Sequence, residues 1–206
     1  MEKYYFINTD TDTNTDIEVG LDEAGRGPLI GNVYAGAVIW DPLLVPPEGL
    51  IIDSKKLSKK KRKLAFEWIK NNIKHYSVGF ATNEEIDRIN ILEATKLAMD
   101  RALINLNIIP THLIIDGIGW ENKFTNYTTK SIIKGDTKYY SIAAASILAK
   151  EYHDEHILEL CANNSSLIEN YSLNTNMGYG SKKHIDGIKL HGYTNLHRKS
   201  FKIKSL

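Results

Sequence analysis

The run Ile17–Gly31, IEVGLDEAGRGPLIG, constrains the rest of the chain more than any other stretch. Ile17, Val19 and Leu21 alternate with Glu18, Gly20 and Asp22, the period-two signature of a strand. The strand ends on two adjacent carboxylates, Asp22 and Glu23, followed at once by Gly25-Arg26-Gly27-Pro28. Adjacent acids repel, and a divalent cation turns that repulsion into attraction. Glycines let the backbone approach a ligand closely, and Arg26 offers a fork that fits a phosphate. The same residues would also make an ordinary solvated turn, so the choice between the two rests on the remainder of the chain.

Beyond Gly31 the chain alternates strand and helix. Asn32–Trp40 is apolar and β-rich and reads as a second strand, and Pro42, Pro46 and Pro47 hold a loop open to Leu50. Ser58 is placed to cap a helix running to about Lys74, and Tyr76–Ala81 reads as a third strand. Thr82 with Glu85 three residues on forms a capping box for a short helix. A longer helix over 91–107 carries a core stripe of Leu92, Met99, Ala102, Leu103 and Leu106. His112–Asp116 is a short apolar run of the kind buried inside an α/β sheet, and 131–133 reads as a fifth strand. A helix over 138–161 sets Ile142, Ala145, Ala149 and Tyr152 on one face, with small residues that permit close packing on a sheet. The order predicts an α/β fold with a mixed sheet. The glycines at 25, 27 and 31 are wrongly spaced for a dinucleotide fingerprint, because Ile30 stands where glycine is needed.

The totals exclude several classes. At 206 residues, 42% hydrophobic and 25% charged, the chain suits one soluble domain. Nothing approaches the roughly 20 apolar residues of a membrane helix, and Met1–Asp16 has no basic or apolar region of a secretory signal. The single cysteine, Cys161, excludes an internal disulfide and a cysteine-based zinc site, so a cytoplasmic, reducing location is expected. A net charge of +1 argues against a uniformly basic binder, but charge is segregated: Lys55–Lys63 and Arg198–Lys204 are basic, whereas the first 25 residues are acidic. By itself such a basic run is a solvated face. Residues 1–16 are expected to form a disordered polar tail ahead of one domain over 17–206. Asp10, Asp12 and Asn14 imitate a calcium loop, but Thr15 replaces its glycine and Leu21 its terminal glutamate.

Two more acids share the situation of Asp22 and Glu23. Asp116 ends the fourth strand, Asp136 precedes a long helix, and strand ends converge in space, so Asp22, Glu23, Asp116 and Asp136 form a candidate cluster. Singly, Asp116 would serve as a turn residue and Asp136 as a helix cap. Together, without cysteine or histidine, they suit Mg²⁺ or Mn²⁺ and a two-metal phosphoryl-transfer site.

GLDEAGRGPLIG, DSKKLS, NILEATKLAMDRAL, IIDG, KGD with SIAAASILAK, GYGSKKH and HRKSF occur in the order they take in type 2 ribonucleases H, which the chain resembles over residues 17–201. The resemblance implies a ribonuclease H-like fold with a five-stranded mixed sheet flanked by helices. It implies cleavage of RNA in RNA–DNA hybrids and incision 5′ of single ribonucleotides in duplex DNA, leaving 3′-hydroxyl and 5′-phosphate ends. Asp22, Glu23, Asp116 and Asp136 match the family's catalytic and metal-binding acids, holding two ions. Gly25, Arg26, Gly27 and Tyr179 match its reader of the ribose 2′-hydroxyl, and Ser54, Lys55, Ser181 and Lys182 its phosphate contacts. Lys59–Lys63 would then lie along the duplex. Asp154 is kept as a supporting acid, but His153 replaces the arginine usual before it; His153 and His156 read as a solvated pair rather than a metal site. The resemblance also implies a monomer and no membrane contact, and leaves a sliding-clamp contact open. Two other readings are a hybrid-binding module without catalysis and a type 3-like ribonuclease H weak on single ribonucleotides. All four acids favour an enzyme, and the Gly25–Gly27 loop with Tyr179 favours type 2.

Overall fold

Glu18–Ala24 (β1) is the middle strand of the sheet and is buried on both faces, so the alternation in its sequence sorts neighbours rather than core from solvent. Val19 and Leu21 pack with the helix Asn83–Asn105 (α2), whereas Gly20 abuts Ser141 of the helix Tyr140–Asn163 (α3). The computed structural model describes residues 1–6 and 16–203. The remaining strands are Val33–Ile39 (β2), His75–Ala81 (β3), His112–Asp116 (β4) and Thr128–Ile132 (β5). Their order is β3-β2-β1-β4-β5; β1 pairs antiparallel with β2 and parallel with β4, and β4 pairs parallel with β5. The expected five-stranded mixed sheet flanked by helices is therefore observed, with β5 beginning three residues before the predicted 131. Leu113, Ile114 and Ile115 of β4 are fully buried, as a strand covered on both sides requires.

Helices cover the two faces. Ser58 accepts a hydrogen bond from the Lys61 amide to cap Lys59–Asn72 (α1). Thr82 and Glu85 close the capping box of α2, and the two expected helices meet at Asn90, where φ is 69°. The Asn90 carboxamide accepts from the amides of Leu92 and Glu93, so it caps the second segment across the kink. Met99, Ala102, Leu103 and Leu106 are core, but Leu92 is exposed at 39%, because the kink turns that first turn outward. In α3, Ser141–Ala149 is buried on every side rather than on one face, as expected of a helix enclosed between a sheet and another helix. Short helices Ser166–Tyr171 (α4) and Leu173–Asn176 (α5) follow α3, ahead of Lys182–His191 (α6). Among the described residues no helix is long and apolar enough to cross a membrane.

The expected tail needs correction at its start. Glu2 pairs with the chain beside Tyr139, its amide donating to the Lys138 carbonyl at 2.7 Å. Glu18 is buried and its carboxylate accepts from the amides of Tyr5 and Phe6 at 2.9 and 2.7 Å. Met1–Phe6 thus has apolar rings and a buried acceptor to order it; the polar run through residue 15, including Asp10, Asp12 and Asn14, lies outside the described residues.

The helix–sheet approach depends on absent side chains. A Cβ on Gly36 of β2 would fall on the backbone carbonyl of Ala145, well inside contact distance, and neither backbone has room to yield. Gly36→Ala is therefore expected to lower stability by about 1–3 kcal/mol, the usual cost of overpacking. Urea denaturation of the two proteins measures this directly, and equal midpoints would mean that α3 is not seated on the glycine.

Candidate active site

Parallel pairing brings the carboxyl ends of β1 and β4 to one edge of the sheet, and the acids collect there. Asp22, Asp116 and Asp136 each offer a carboxylate oxygen within 4.8 Å of the others. Asp136 does not cap α3, which begins at Tyr140; it sits in a 3-10 turn, Gly135–Thr137. That turn is tied to β4 because Asp116 Oδ1 accepts from the Gly135 amide at 2.7 Å. Asp22 Oδ1 accepts from the Glu23 amide at 2.7 Å, and the Ser146 hydroxyl of α3 faces the Asp22 carboxylate and favours its charged form.

Glu23, expected in the same cluster, is not one of the three that converge. Its carboxylate pairs with Arg26 Nη1 at 3.1 Å. Arg26 is half exposed, so this bond is worth little, of order 0–1 kcal/mol for such a pair.

Burial raises the Asp22 carboxyl well above the carboxylate range, and the charges of Glu23 and Asp116 push the same way. Burial likewise pushes Asp136 up to about 6, helped by Asp116 and Asp53. Burial raises Glu23 too, against the pull of Arg26. Burial would lower Lys55, but Asp22, Asp136, Asp53 and Asp116 outweigh it and raise the amine. The cluster is therefore short of positive charge. Its donors are all carboxylate oxygens, with no sulfur or imidazole, which is the set that hard divalent cations such as Mg²⁺ and Mn²⁺ prefer.

Beside the acids lies a pocket of about 180 Å³ lined by Glu23, Gly25, Arg26, Gly27, Ser54, Lys55, Ser146, Lys150 and Tyr179. Gly25 adopts φ of 90° and packs on the His153 ring, with no space for a side chain. A Cβ on Gly27 would stand 3.4 Å from the Tyr179 ring, so the loop and this tyrosine face each other across the pocket. Lys150 Nζ lies 5.4 Å over the same ring. Ser54 is buried with its Oγ 2.9 Å from Ser146 Oγ, whereas Lys55 is exposed beside the acids. Ser181 caps α6, its Oγ accepting from the His184 amide, and exposed Lys182 opens that helix. A second pocket, lined by Asp53, Lys55, Lys56, Asp116, Lys134 and Asp136, adjoins the cluster.

Several residues that build the site carry no signal of their own in the sequence. Arg62 belongs to the basic run, yet it points inward and bonds Glu151 at 2.5 Å and Asp154 at 2.9 Å. Lys150 and His153 Nδ1 hold the other oxygen of Asp154 at 2.8 and 3.0 Å. His153 is fully buried and His156 half-buried, so they are not a solvated pair, and His153 does reach Asp154. Arg198 of HRKSF is 1% exposed, and its guanidinium donates to the carbonyls of Gly25, Arg26, Pro28, Gly31 and Asn32 at 2.7–3.1 Å. Those contacts occupy all five guanidinium hydrogens.

A profile described as Ribonuclease HII matches residues 19–204. Ribonuclease HII of Orientia tsutsugamushi (strain Boryong) is 46% identical over 198 residues, 96% of this chain and 92% of that protein. The ribonuclease H2 structure from Pyrococcus horikoshii OT3 superposes with a TM-score of 0.68 at 26% identity, covering 90% of this chain and 94% of that one. A chain of the PCNA:RNase HII complex from Archaeoglobus fulgidus gives 0.70 at 23% identity, covering 91% and 96%, and bears on the fold alone. Sheet order and these superpositions define an α/β protein of the ribonuclease H fold. The sequence matches go further: the chain belongs to the ribonuclease HII family and is a hydrolase, an endoribonuclease of the H class.

Lysine has three donors where Arg198 uses five, so Arg198→Lys strands buried carbonyls at about 1–3 kcal/mol each before relaxation. We expect the variant to unfold about 3 kcal/mol more easily in urea, the range for a broken buried network. Amide exchange should accelerate first in 25–32. Uniform acceleration over the whole domain would deny Arg198 a local role.

Proposed function

We propose that this chain cleaves the RNA strand of RNA–DNA hybrids and incises 5′ of a single ribonucleotide in duplex DNA, leaving 3′-hydroxyl and 5′-phosphate ends. The observation that carries the reading is the adjacency of the three converging aspartates to the notch between Gly25-Arg26-Gly27 and Tyr179. Asp22, Asp116 and Asp136 would hold divalent cations, and Glu23 would join them by exchanging Arg26 for a cation. Two such ions supply an activated water and neutralise the charge on the leaving 3′-oxygen.

The chain's own groups do the rest. The acids are held in place by the Glu23 amide on Asp22 and by the Gly135 amide on Asp116, so the three aspartates need little rearrangement on binding. Arg26, released from Glu23, presents its fork to a phosphate, and exposed Lys55 and Lys182 add point charges along the backbone of the substrate. Ser54 and Ser181 are hydroxyl donors at the same edge. Tyr179 packs on the sugar opposite the glycine loop, whose backbone meets the 2′-hydroxyl; a deoxyribose offers no such partner. Asp154, held by Arg62, Lys150 and His153, supports the floor of the notch beneath Gly25.

Incision of a labelled duplex carrying one ribonucleotide, with Mg²⁺, Mn²⁺ or chelator, tests the reading. A metal-dependent nick 5′ of the ribonucleotide is expected; cutting of long hybrids alone would reject the single-ribonucleotide assignment. Asp22→Asn should abolish cleavage while the metal-free protein melts no earlier than wild type, because one of the mutually repelling charges is gone. Wild type should gain thermal stability on adding Mn²⁺ and the variant should gain less; equal gains would place the ions elsewhere. Tyr179→Ala should reduce incision at a lone ribonucleotide far more than binding to all-DNA duplex, and equal losses would reject its part in sugar recognition.

A further inference from the structure

Two histidines of the signature motifs, His184 and His197, take no part in the chemistry above, yet both are completely buried. Their Nε2 atoms lie 3.1 Å apart. The direction of each hydrogen bond is set by the outer partners. His197 Nδ1 is 2.9 Å from the backbone amide of Thr194, which can only donate, so Nδ1 is the acceptor and the ring hydrogen sits on Nε2. His184 Nδ1 is 3.0 Å from the Tyr179 carbonyl, which can only accept, so its hydrogen sits on Nδ1 and its Nε2 is bare. The two requirements meet: His197 Nε2–H donates to His184 Nε2. With both rings neutral, one arrangement of hydrogens satisfies Thr194, both rings and Tyr179 together.

From this we propose that His184 and His197 are positioning residues, a tautomer-locked relay that fixes Tyr179 opposite the Gly25-Arg26-Gly27 loop. The inference rests on the reading of Tyr179 as the sugar-contacting side chain. The relay starts from His197, and the next residue, Arg198, holds the carbonyls of Gly25 and Arg26. Consecutive residues therefore govern both walls of the notch. The walls stand close together, since a Cβ added to Gly27 would meet the Tyr179 ring at 3.4 Å, in van der Waals contact. Displacement of a positioning group by about 1 Å is enough to cost a reaction on the order of 100-fold.

The surroundings keep the pair neutral. Tyr171 stands edge-on to both rings, with centroids 5.9 and 5.0 Å away, and Tyr193 is 5.4 Å from His197. Burial, with His184 alongside, pushes His197 down to about 4, and burial pushes His184 down as well. A proton added to either ring would set two N–H groups against each other or against the Thr194 amide. The rings thus act as fixed struts rather than as acid–base groups.

Two measurements on the full chain test this. The first is ¹⁵N NMR of histidine-labelled protein: His184 is expected as the Nδ1–H tautomer and His197 as Nε2–H, with a coupling across the Nε2–H···Nε2 bond. The opposite tautomers, or a pair protonated at neutral pH, would overturn the relay. The second is kinetic and uses His197→Phe, which keeps a ring between Tyr171 and Tyr193 but carries no donor, and His184→Phe as an independent variant. Each should lower kcat for incision at a lone ribonucleotide by about tenfold or more while affinity for all-DNA duplex holds, as expected of a misplaced catalytic wall. In a Tyr179→Ala background the same substitutions should cost little, because the group they position is gone. Full additivity, or parallel loss of kcat and duplex affinity, would reduce the histidines to packing. If Tyr179→Ala leaves kcat unchanged, the sugar-recognition reading itself fails, whereas a loss with Tyr179→Ala and none with the histidine variants sinks the relay alone.

Discussion

The seating of α3 on glycines of the central strands is the constraint on which the rest of the site depends. Gly20 and Gly36 remove the side chains that would hold the helix off, so Ser141 and Ala145 lie against the sheet itself. The next residue, Ser146, bonds Ser54 and faces Asp22; the following turns bring Lys150 to Tyr179, His153 beneath Gly25 and Asp154 to Arg62. A single helix therefore supports the acid cluster and the notch, and its register against β1 and β2 sets both. A helix carrying larger residues on that face would preserve the fold class and lose the site.

This geometry stores unfavourable electrostatics. Asp22 is buried beside Asp116 and close to Glu23, and burial alone already disfavours its charge. The protein compensates locally, with a hydroxyl and an amide on Asp22 and an amide on Asp116, instead of placing a lysine or arginine inside the cluster. The cations available, Lys55 and Arg26, stay at its rim. A cluster neutralised from within would be more stable and would have no need of a divalent ion. Strain of this kind is what a divalent cation would relieve, and it is concentrated at the one sheet edge where strand ends converge.

Much of this was legible in the sequence because it depends on short-range rules. Period-two alternation located β1, the Thr82–Glu85 spacing gave its capping box, and the apolar run 113–115 gave a central strand. Asp22, Asp116 and Asp136 were legible because each ends or follows a strand. The misses share a physical cause: they concern which way a long side chain turns. Arg62 was submerged in a run of lysines that face solvent, and only the buried acids Glu151 and Asp154 across the helix pair, some 90 residues away in sequence, draw it inward. Adjacency groups Glu23 with the aspartates, yet a longer side chain and a nearby arginine turn it aside. His153 reads as solvated in the sequence because periodicity alone does not reveal that a helix is enclosed on every side.

Arg198 shows the same limit from another direction. Arg198 opens the basic run 198–204, which by itself reads as a solvated face. The guanidinium instead lies inside the protein, its five hydrogens taken by five carbonyls of one loop. A loop with glycine at 25, 27 and 31 has little side-chain material to pack and points its carbonyls inward, so it needs a donor array from elsewhere in the chain. Arginine alone among the side chains offers five donors in a fixed plane. The glycines that shape the loop and the buried cation that restrains it are therefore one device. The glycines supply the conformation, and a residue about 170 positions later in the chain holds it.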